Sequence, residues 1–359
     1  MKLLLLLLLL LPATLSAQEC AGRKFLSLTR FDRFQKQTNA AAIEWISPEL
    51  DPGLDWEELI LSWNIHGPAT NAQWQFQVQP ISSNLNAHYY HLGFWSLDPQ
   101  KKRESVKNQD DPHGTVDTDL LRLKKPHRKF RIKISSDSSA AFDGLSFIGL
   151  SFFNPAAPFQ EPQPTQKNET DLPIQPRSQL DHPEGAKIWC SPTSTSMILS
   201  WWAEKLHRPE LLLTVPATAR AINDPNWPGT GNWPFNTALA GSFEGIRAYV
   251  TRLGTIEELE SFVAHGIPVA ISLSYNLLKG HDISGSGHLV VVRGFSPSGE
   301  LIINDPGVDL PHVRRLFPRE RVARAWDYSR RTAYLIYPIG HPLPPNPCEH
   351  WESTTPSSK

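Results

Sequence analysis

One proline-rich segment divides the chain into two regions with different hydrophobic patterns. Residues 155–176 are rich in proline, glutamine and other polar residues, a composition typical of an exposed, semi-extended linker. A length of 359 residues is also sufficient for two domains. We therefore predict one domain over residues 21–154 and a second over residues 177–340. A proline-rich tail over residues 341–359 is expected to run along the surface.

The first region consists of short apolar or alternating runs separated by turn residues. These runs cover residues 59–63, 73–78, 89–95, 129–134 and 145–152. Short strands with polar turns predict an all-β, sandwich-like domain. We expect Trp63, Trp74 and Trp95 to pack in its core, and carbohydrate binding by these rings is the alternative. The domain is also a candidate binding site for a surface ligand.

The first residues have the pattern of a secretory signal peptide. Lys2 precedes an unbroken leucine run over residues 3–11, and a small-residue stretch ends at Ala17. The run is too short to span a bilayer, and no later segment is suited to cross one. We predict a signal peptide over residues 1–17, no membrane span, and a secreted or periplasmic protein.

The three cysteines divide into a predicted pair and a free thiol. An oxidising compartment favours disulfides, and Cys20 and Cys348 lie near the two ends of the mature chain, which are often close in space. Cys190 is then unpaired, and an unpaired cysteine in an exported protein is a candidate reactive thiol. Three free thiols, or a disulfide through Cys190, are the alternatives.

The charge balance and the acidic residues indicate which partners are absent. Thirty-five Lys and Arg residues balance thirty-six Asp and Glu residues, which argues against a nucleic-acid partner. The spacing of four aspartates does not match a calcium loop, so we interpret them as a solvated turn; they are Asp110, Asp111, Asp117 and Asp119. His281, Asp282 and His288 lack a standard ligand spacing. We therefore predict no metal and no cofactor.

In the second region, helical spacing comes first and strands follow. Pro192 stands in the first turn of a predicted helix that begins at Cys190. A second helix is predicted over residues 256–265. Strands are predicted over residues 268–275, 288–295, 300–304 and 332–337. This order indicates an α+β domain with an antiparallel sheet.

The position of Cys190 at a helix start favours thiol chemistry. Unpaired N–H groups and a partial positive charge at a helix N-terminus stabilise a thiolate and lower the pKa of the cysteine. The backbone N–H of such a nucleophile is also well placed to bind an oxyanion. A buried, inert thiol is the alternative.

His288 stands where a small-residue loop meets a buried strand. The sequence SGSG precedes it and LVVV follows it. Glycines beside a histidine allow a substrate backbone to approach closely. We predict that His288 is the base that accepts the proton of Cys190, and a strand-end histidine with one structural hydrogen bond is the alternative.

A hairpin register brings an acidic residue to this histidine. If Phe295 pairs with Glu300 across a four-residue turn, His288 and Asp305 become diagonal neighbours on one face. Asn304 would then point to the opposite face. A one-residue slip would reverse this arrangement, so Asn304 is the alternative to Asp305 as the residue that orients His288.

Five stretches of the chain together resemble a known family. They are SQ at residues 178–179, WCSPTS at 189–194, TGNWPFN at 230–236, GHLVVV at 287–292 and INDP at 303–306. They look like the bacteriocin-processing (double-glycine leader) cysteine peptidases, in their stand-alone exported branch. The resemblance implies a papain-like domain in which an N-terminal helix carries the cysteine and an antiparallel sheet carries the histidine and aspartate.

The resemblance also implies an oxyanion role for Gln179. In that family, a glutamine upstream of the cysteine lends its side-chain amide to the oxyanion hole, and Gln179 is the matching residue. It stands eleven residues before Cys190, farther than is usual in the family. An insertion over residues 181–187 would account for the difference. Three tryptophans are candidates for the walls of a substrate groove; they are Trp189, Trp227 and Trp233.

These observations predict an exported cysteine peptidase or amide hydrolase with the triad Cys190, His288 and Asp305. Its partner would be a peptide or protein substrate. The intact set of residues disfavours the alternative of a non-catalytic binding protein with a relic peptidase domain. A transglutaminase-like acyltransferase would use the same residue order and stays an alternative.

Overall fold

The computed structural model describes residues 20–38, 42–81, 88–159, 169–227 and 229–353. The predicted signal peptide lies outside these residues, as do residues 160–168 of the predicted linker and the last six residues of the tail. None of the helices in the described ranges has the length and apolarity that a membrane crossing needs.

The first region forms two antiparallel sheets that pack face to face. Its strands are β1 (Arg23–Leu28), β2 (Gln35–Thr38), β3 (Ile43–Ile46), β4 (Trp56–Ile65), β5 (Trp74–Ile81), β6 (Tyr90–Trp95), β7 (Gly114–Asp117), β8 (Leu120–His127), β9 (Lys129–Ser136) and β10 (Leu145–Phe153). One sheet has the order β1-β10-β4-β8-β7 and the other β2-β3-β9-β5-β6. Trp63, Trp74 and Trp95 are fully buried in the core between them. These rings are therefore not available to a carbohydrate.

The second region packs helices against a third antiparallel sheet. The additional strands are β11 (Thr170–Asp171), β12 (Ile246–Arg252), β13 (Val269–Ser274), β14 (Gly287–Phe295), β15 (Leu301–Asn304), β16 (Arg314–Phe317) and β17 (Thr332–Pro338). The helices are α1 (Cys190–Leu206), α2 (Val215–Ile222), α3 (Trp233–Ala240), α4 (Ile256–Ala264), α5 (Tyr275–Leu278) and α6 (Arg319–Trp326). The sheet order is β12-β17-β13-β14-β15-β16, with β11 added beside β14. Helix α1 docks on this sheet, where Trp202 Nε1 donates to Ile336 O at 2.7 Å.

The end of the predicted linker belongs to the third sheet. Thr170 and Asp171 pair with β14, and Leu172 and Ile174 are buried in the core. Gly294 permits this pairing, because a Cβ there would lie 2.1 Å from Thr170 O. The prediction of an exposed linker up to residue 176 is therefore wrong for residues 170–174. A two-residue strand is too short to show a periodicity, and the surrounding prolines concealed it.

The proline-rich tail does not stay on the surface. Trp351 is 2% exposed and packs edge-on against Phe262, with ring centroids 4.9 Å apart. Phe25 N donates to Glu349 O at 2.7 Å, and a disulfide joins Cys348 to Cys20. Composition suggested a surface path, but one large apolar side chain is sufficient to anchor a proline-rich segment in a core.

The two regions share buried side chains across a broad interface. Asn64 of β4 donates to Ala248 O at 2.6 Å and accepts from Ala248 N at 3.1 Å. Phe235 of α3 packs against Trp63 and Trp95, with ring centroids 6.2 and 5.2 Å apart. The regions therefore do not behave as two independent bodies joined by a linker, because each completes the core of the other.

Candidate active site

Cys190 is the first residue of α1 and carries a free thiol. Trp189, the preceding residue, has a non-helical backbone conformation and provides no side-chain cap. The N–H groups of the first turn therefore keep their positive potential for the thiol. Ser194, one turn later, donates to Leu289 O at 3.1 Å. This hydrogen bond fixes the start of α1 beside the start of β14.

His288 is the second residue of β14 and is 7% exposed. Its Nε2 lies 2.7 Å from Asp305 Oδ1, and both groups are buried. The imidazole also hydrogen-bonds the thiol of Cys190. Since Nε2 is engaged by Asp305, Nδ1 is the nitrogen left for the thiol. The structure therefore brings the three predicted triad residues together in the predicted order.

Asp305 follows β15 directly and is fully buried. Besides His288, its carboxylate accepts hydrogen bonds from Gly307 N at 2.9 Å, Arg315 Nη1 at 3.2 Å and the Tyr275 hydroxyl at 3.4 Å. Four donors hold the two oxygens, so the carboxylate has little freedom to rotate away from the imidazole. Tyr275 and Arg315 could not be identified from the sequence, because neither belongs to a local motif around the triad residues.

The predicted hairpin register is wrong at the turn, but the predicted position of Asp305 on the same face as His288 is correct. Phe295 pairs with Leu301, not with Glu300, so the turn contains one more residue than expected. A bulge between Val292 and Gly294 then shifts the pairing back by one residue, and Val291 pairs with Asn304. The two shifts cancel before the strand reaches His288.

Asn304 consequently points to the other face of the sheet. Its Oδ1 accepts from Arg293 Nη1 at 3.3 Å, and its Nδ2 donates to Ile174 O at 3.4 Å. Asn304 is therefore not placed to orient His288, and the alternative that the register left open is removed.

The electrostatics of the site favour a charged thiolate–imidazolium pair. Burial raises the pKa of the Cys190 thiol, but the hydrogen bond and charge of His288 outweigh it, and the pKa lies below its ordinary value. Burial lowers the pKa of His288, but its hydrogen bonds with Asp305 and Cys190 raise it to about 9. Burial also raises the pKa of Asp305, and the hydrogen bond and charge of His288 more than reverse this. Each charge of the triad thus stabilises the next.

Gln179 is buried beside the triad, but its amide is engaged elsewhere. Its backbone N–H donates to Pro306 O at 2.9 Å, next to Asp305. Its Nε2 donates to Ala186 O at 2.7 Å, and its buried Oε1 has no hydrogen-bond partner among the described residues. Gln179 does not line the cleft. The side chain instead holds the loop over residues 182–189, which contains most of the predicted insertion over residues 181–187.

A cleft of about 740 Å³ opens above Cys190 and His288. Of the three tryptophans predicted to wall a groove, Trp227 and Trp233 line this cleft. Trp189 does not, because it packs against Gly185 and His182. The cleft also has a wall from the first region, which the sequence analysis did not anticipate; it consists of Glu58, Asp117, Thr118, Asp119, Leu120 and Arg122.

Asp119 and, to a smaller degree, Asp111 depart from the predicted solvated turn. The side chain of Asp111 is 20% exposed and accepts a hydrogen bond from the Tyr90 hydroxyl at 2.8 Å. The side chains of Asp110 and Asp117 are 73% and 65% exposed, as expected for a solvated turn. Asp119 is 6% exposed and accepts a hydrogen bond from Trp233 N at 2.5 Å. The interpretation as a solvated turn is wrong for Asp119, because α3 packs over it. No local sequence pattern predicts that contact.

Comparison with known proteins extends over both regions. Residues 171–334 match the peptidase C39-like family, and residues 21–139 match the peptidase C39 N-terminal domain. Residues 171–334 belong to the peptidase C39-like family. The resemblance to bacteriocin-processing-type peptidases is thereby confirmed. The C39-like match begins at residue 171, within β11, where the structure also begins the third sheet.

Solved structures and curated proteins give less information about this chain than the family matches do. A Bacillus anthracis protein described as a C39-like peptidase is similar, with 20% sequence identity and a TM-score of 0.37. The match covers 48% of this chain and 98% of that chain. No curated protein matches the chain.

Proposed function

We propose that this C39-like family member is a cysteine peptidase or amide hydrolase in which Cys190 is the nucleophile and His288 the general base. The observation that carries the proposal is the buried hydrogen bond between His288 Nε2 and Asp305 Oδ1 at 2.7 Å. This bond leaves Nδ1 to the thiol at the start of α1. An activated nucleophile needs such a base, itself held by a third group.

In the proposed reaction, His288 Nδ1 takes the proton of Cys190, and the thiolate attacks the carbonyl carbon of the substrate amide. The imidazolium then donates this proton to the leaving nitrogen as the C–N bond breaks, which leaves a thioester on Cys190. His288 next removes a proton from water, and the resulting hydroxide attacks the thioester. The acid product leaves, and the thiolate–imidazolium pair is restored. Asp305 keeps the imidazole in one orientation throughout.

The oxyanion of each tetrahedral intermediate needs hydrogen-bond donors. The backbone N–H of Cys190, at the first position of α1, is one proposed donor. Gln179 is the second donor that the family resemblance implies. Its Nε2 carries two hydrogens, and one of them is bound by Ala186 O. We propose that the amide turns towards the cleft when substrate binds. Oε1 has no partner among the described residues, so the hydrogen bond from Nε2 to Ala186 O is the side-chain bond that must break.

We also propose that the protein is exported. The disulfide between Cys20 and Cys348 supports an oxidising compartment, and residues 1–17 have a signal-peptide pattern. N-terminal sequencing of the protein recovered from the extracytoplasmic fraction should begin at Gln18. A thiol titration of the unreduced protein should find one free thiol. Recovery from the cytoplasm with an intact leader would contradict the proposal.

A peptidyl electrophile tests the proposed chemistry directly. A peptidyl chloromethyl ketone should label Cys190 alone, and the unlabelled protein should hydrolyse internally quenched peptides. Cys190→Ala should abolish both without changing the unfolding midpoint. Cys190→Ser is the matched control, since it keeps the size of the side chain and exchanges the nucleophile for a weak one. Full hydrolysis by Cys190→Ala would overturn the mechanism.

A further inference from the structure

We infer that Asp119, supplied by the N-terminal β region, is a recognition site for a cationic group of the peptide substrate. The group would be an ammonium or guanidinium, from a basic side chain or from a free N-terminus. The inference rests on the proposed peptidase function, because it assigns a specificity to the same cleft.

Asp119 reaches the cleft from the turn between β7 and β8. Asp117 and Leu120 pair across this turn, and Thr118 takes a left-handed conformation with φ of 60°. The tight turn projects Asp119 towards α3, where the carboxylate accepts the N–H of Trp233. A residue remote in sequence is thereby built into the wall that faces Cys190.

Asp119 and Cys190 share a neighbouring side chain, the phenol of Tyr334. Tyr334 hydrogen-bonds the hydroxyl of Ser191 at 3.0 Å, and Ser191 follows Cys190 directly. Burial raises the pKa of Tyr334 well above its ordinary value; the hydrogen bond with Ser191 opposes the rise, and the charges of Asp119 and Cys190 add to it. Asp119 and Cys190 therefore both lie near one phenol.

The structural role of Asp119 explains only part of its burial. Helix α3 already has a cap, because Asn232 Oδ1 accepts from Phe235 N at 3.2 Å. The carboxylate of Asp119 has one hydrogen bond from another described residue, that from Trp233. A carboxylate on a residue that is 6% exposed, with one such donor, is costly, and burial raises its pKa to about 7. A cation placed against it would offset that cost.

The other acidic groups of the cleft already have cationic partners. Arg252 Nη2 lies 2.7 Å from Glu58, and Arg122 lies 3.2 Å from Asp117. Asp327 is likewise paired with Arg331 at 2.6 Å. Among the described residues, none forms an ion pair with Asp119.

Two tryptophans in the lining of the same cleft fit the same kind of ligand. The rings of Trp227 and Trp233 line the cleft, and Trp227 is 44% exposed. Aromatic faces attract ammonium and guanidinium groups. Carboxylate and indole together therefore favour a cation over a neutral or acidic group. Arg330 is exposed in the same cleft and forms no ion pair among the described residues. Binding of an acidic substrate group to Arg330 is therefore the competing outcome of the test.

Peptide binding to the inactive Cys190→Ala protein tests this inference apart from hydrolysis. Fluorescein-labelled, N-acetylated peptides would carry one Lys, Gln or Glu scanned through each position, and a second set would have a free N-terminus. Anisotropy should show roughly tenfold tighter binding of one Lys peptide over its Gln partner, or of the free N-terminus over the acetylated one. The two arms distinguish a side-chain cation from a terminal ammonium.

Asp119→Asn is the decisive variant, because the amide oxygen can still accept the Trp233 N–H while the charge is lost. In the Cys190→Ala background it should remove the preference at an unchanged unfolding midpoint. Asp117→Asn, an exposed neighbour, should retain it. Equal binding of Lys and Gln peptides, a preference for Glu, or a preference that survives Asp119→Asn would each overturn the inference. Cation binding without hydrolysis by the native enzyme would instead overturn only the proposed function.

Discussion

The ring of Tyr275 packs against the imidazole of His288, with the ring centroids 4.1 Å apart and the ring planes tilted by 36°. The pairing of β13 with β14 sets this contact, because Leu273 lies opposite His288 in the antiparallel ladder and Tyr275 follows two residues later, diagonal to His288. The Tyr275 hydroxyl also donates to Asp305 Oδ2 at 3.4 Å. Tyr275 therefore contacts His288, the proposed base, and Asp305, without lying among the residues that line the cleft.

We expect Tyr275 to act as a positioning residue. Tyr275→Phe keeps the packed ring and should lower kcat/KM by less than about fivefold, since the lost hydrogen bond is one of four on Asp305. Tyr275→Ala frees one face of the imidazole and should lower kcat by about 10- to 100-fold, because small misplacements of a catalytic group are costly. Kinetics with a quenched peptide would measure both, with KM nearly constant. Equal losses of kcat in both variants would show that the hydroxyl alone matters, and would contradict a role for the packing of the Tyr275 ring against His288.

The titration of the triad predicts a bell-shaped dependence of kcat/KM on pH. Activity needs a deprotonated Cys190 and a protonated His288. The acid limb should lie below the ordinary range of a thiol, because the pKa of Cys190 is lowered. The alkaline limb should lie near pH 9, where the raised pKa of His288 is reached. Between these limits the reactive pair is present, and it is lost on either side.

Asp305→Asn tests the cause of the alkaline limb. The variant removes the charge and keeps a hydrogen-bond acceptor, so the pKa of His288 should fall and the alkaline limb should move to lower pH. Activity should fall by at least about tenfold. Asn304 cannot take over, because its side chain bonds to Arg293 and Ile174 on the other face. The rate of alkylation by iodoacetamide, followed against pH, reports the same shift; an unchanged profile would contradict the role of Asp305.

Two roles are open for Gln179, which the family resemblance matches to an oxyanion-binding glutamine and which contacts the 182–189 loop in the structure. If the amide stabilises the oxyanion, Gln179→Ala should lower kcat by about 10²–10³-fold, and Gln179→Glu should be equally impaired because it loses the donor. If Gln179 only holds the 182–189 loop through Ala186, Gln179→Ala should lower the unfolding midpoint and cost less than about tenfold in kcat. Steady-state kinetics and thermal unfolding of both variants decide between the two roles.

The disulfide between Cys20 and Cys348 should contribute strongly to stability. It closes a loop with a sequence separation of 328 residues, and it fastens β1 to the buried segment around Trp351. Cys20→Ser combined with Cys348→Ser should lower the free energy of unfolding by about 2–5 kcal/mol, measured with urea. Reduced native protein should show a similar loss. Unchanged stability in the double variant would mean that the packing of His350 and Trp351 alone holds the tail.

Several features of the site could be predicted from short segments of the sequence. The helix start at Cys190 and the strand start at His288 follow from local signals, such as the proline in the first turn and the apolar run after the glycines. The alternating runs of the first region likewise indicated strands with inward-facing tryptophans. Such signals depend on interactions between residues close in the chain, so they are visible without a fold.

The arrangement of the cleft was decided by tertiary packing. The face on which Asp305 lies depends on the bulge between Val292 and Gly294, which offsets the extra residue of the turn. Strand β11 can pair with β14 because Gly294 lets its backbone approach. Asp119 and Trp233 are 114 residues apart, and their contact exists because α3 packs into the core of the β region. Contacts of this kind stabilise the folded state because they bury side chains that are far apart in the sequence, and no hydrophobic periodicity of the sequence predicts which of them meet. The chain by itself therefore indicated a nucleophile and its base, and the packing of the two regions determined what else faces them.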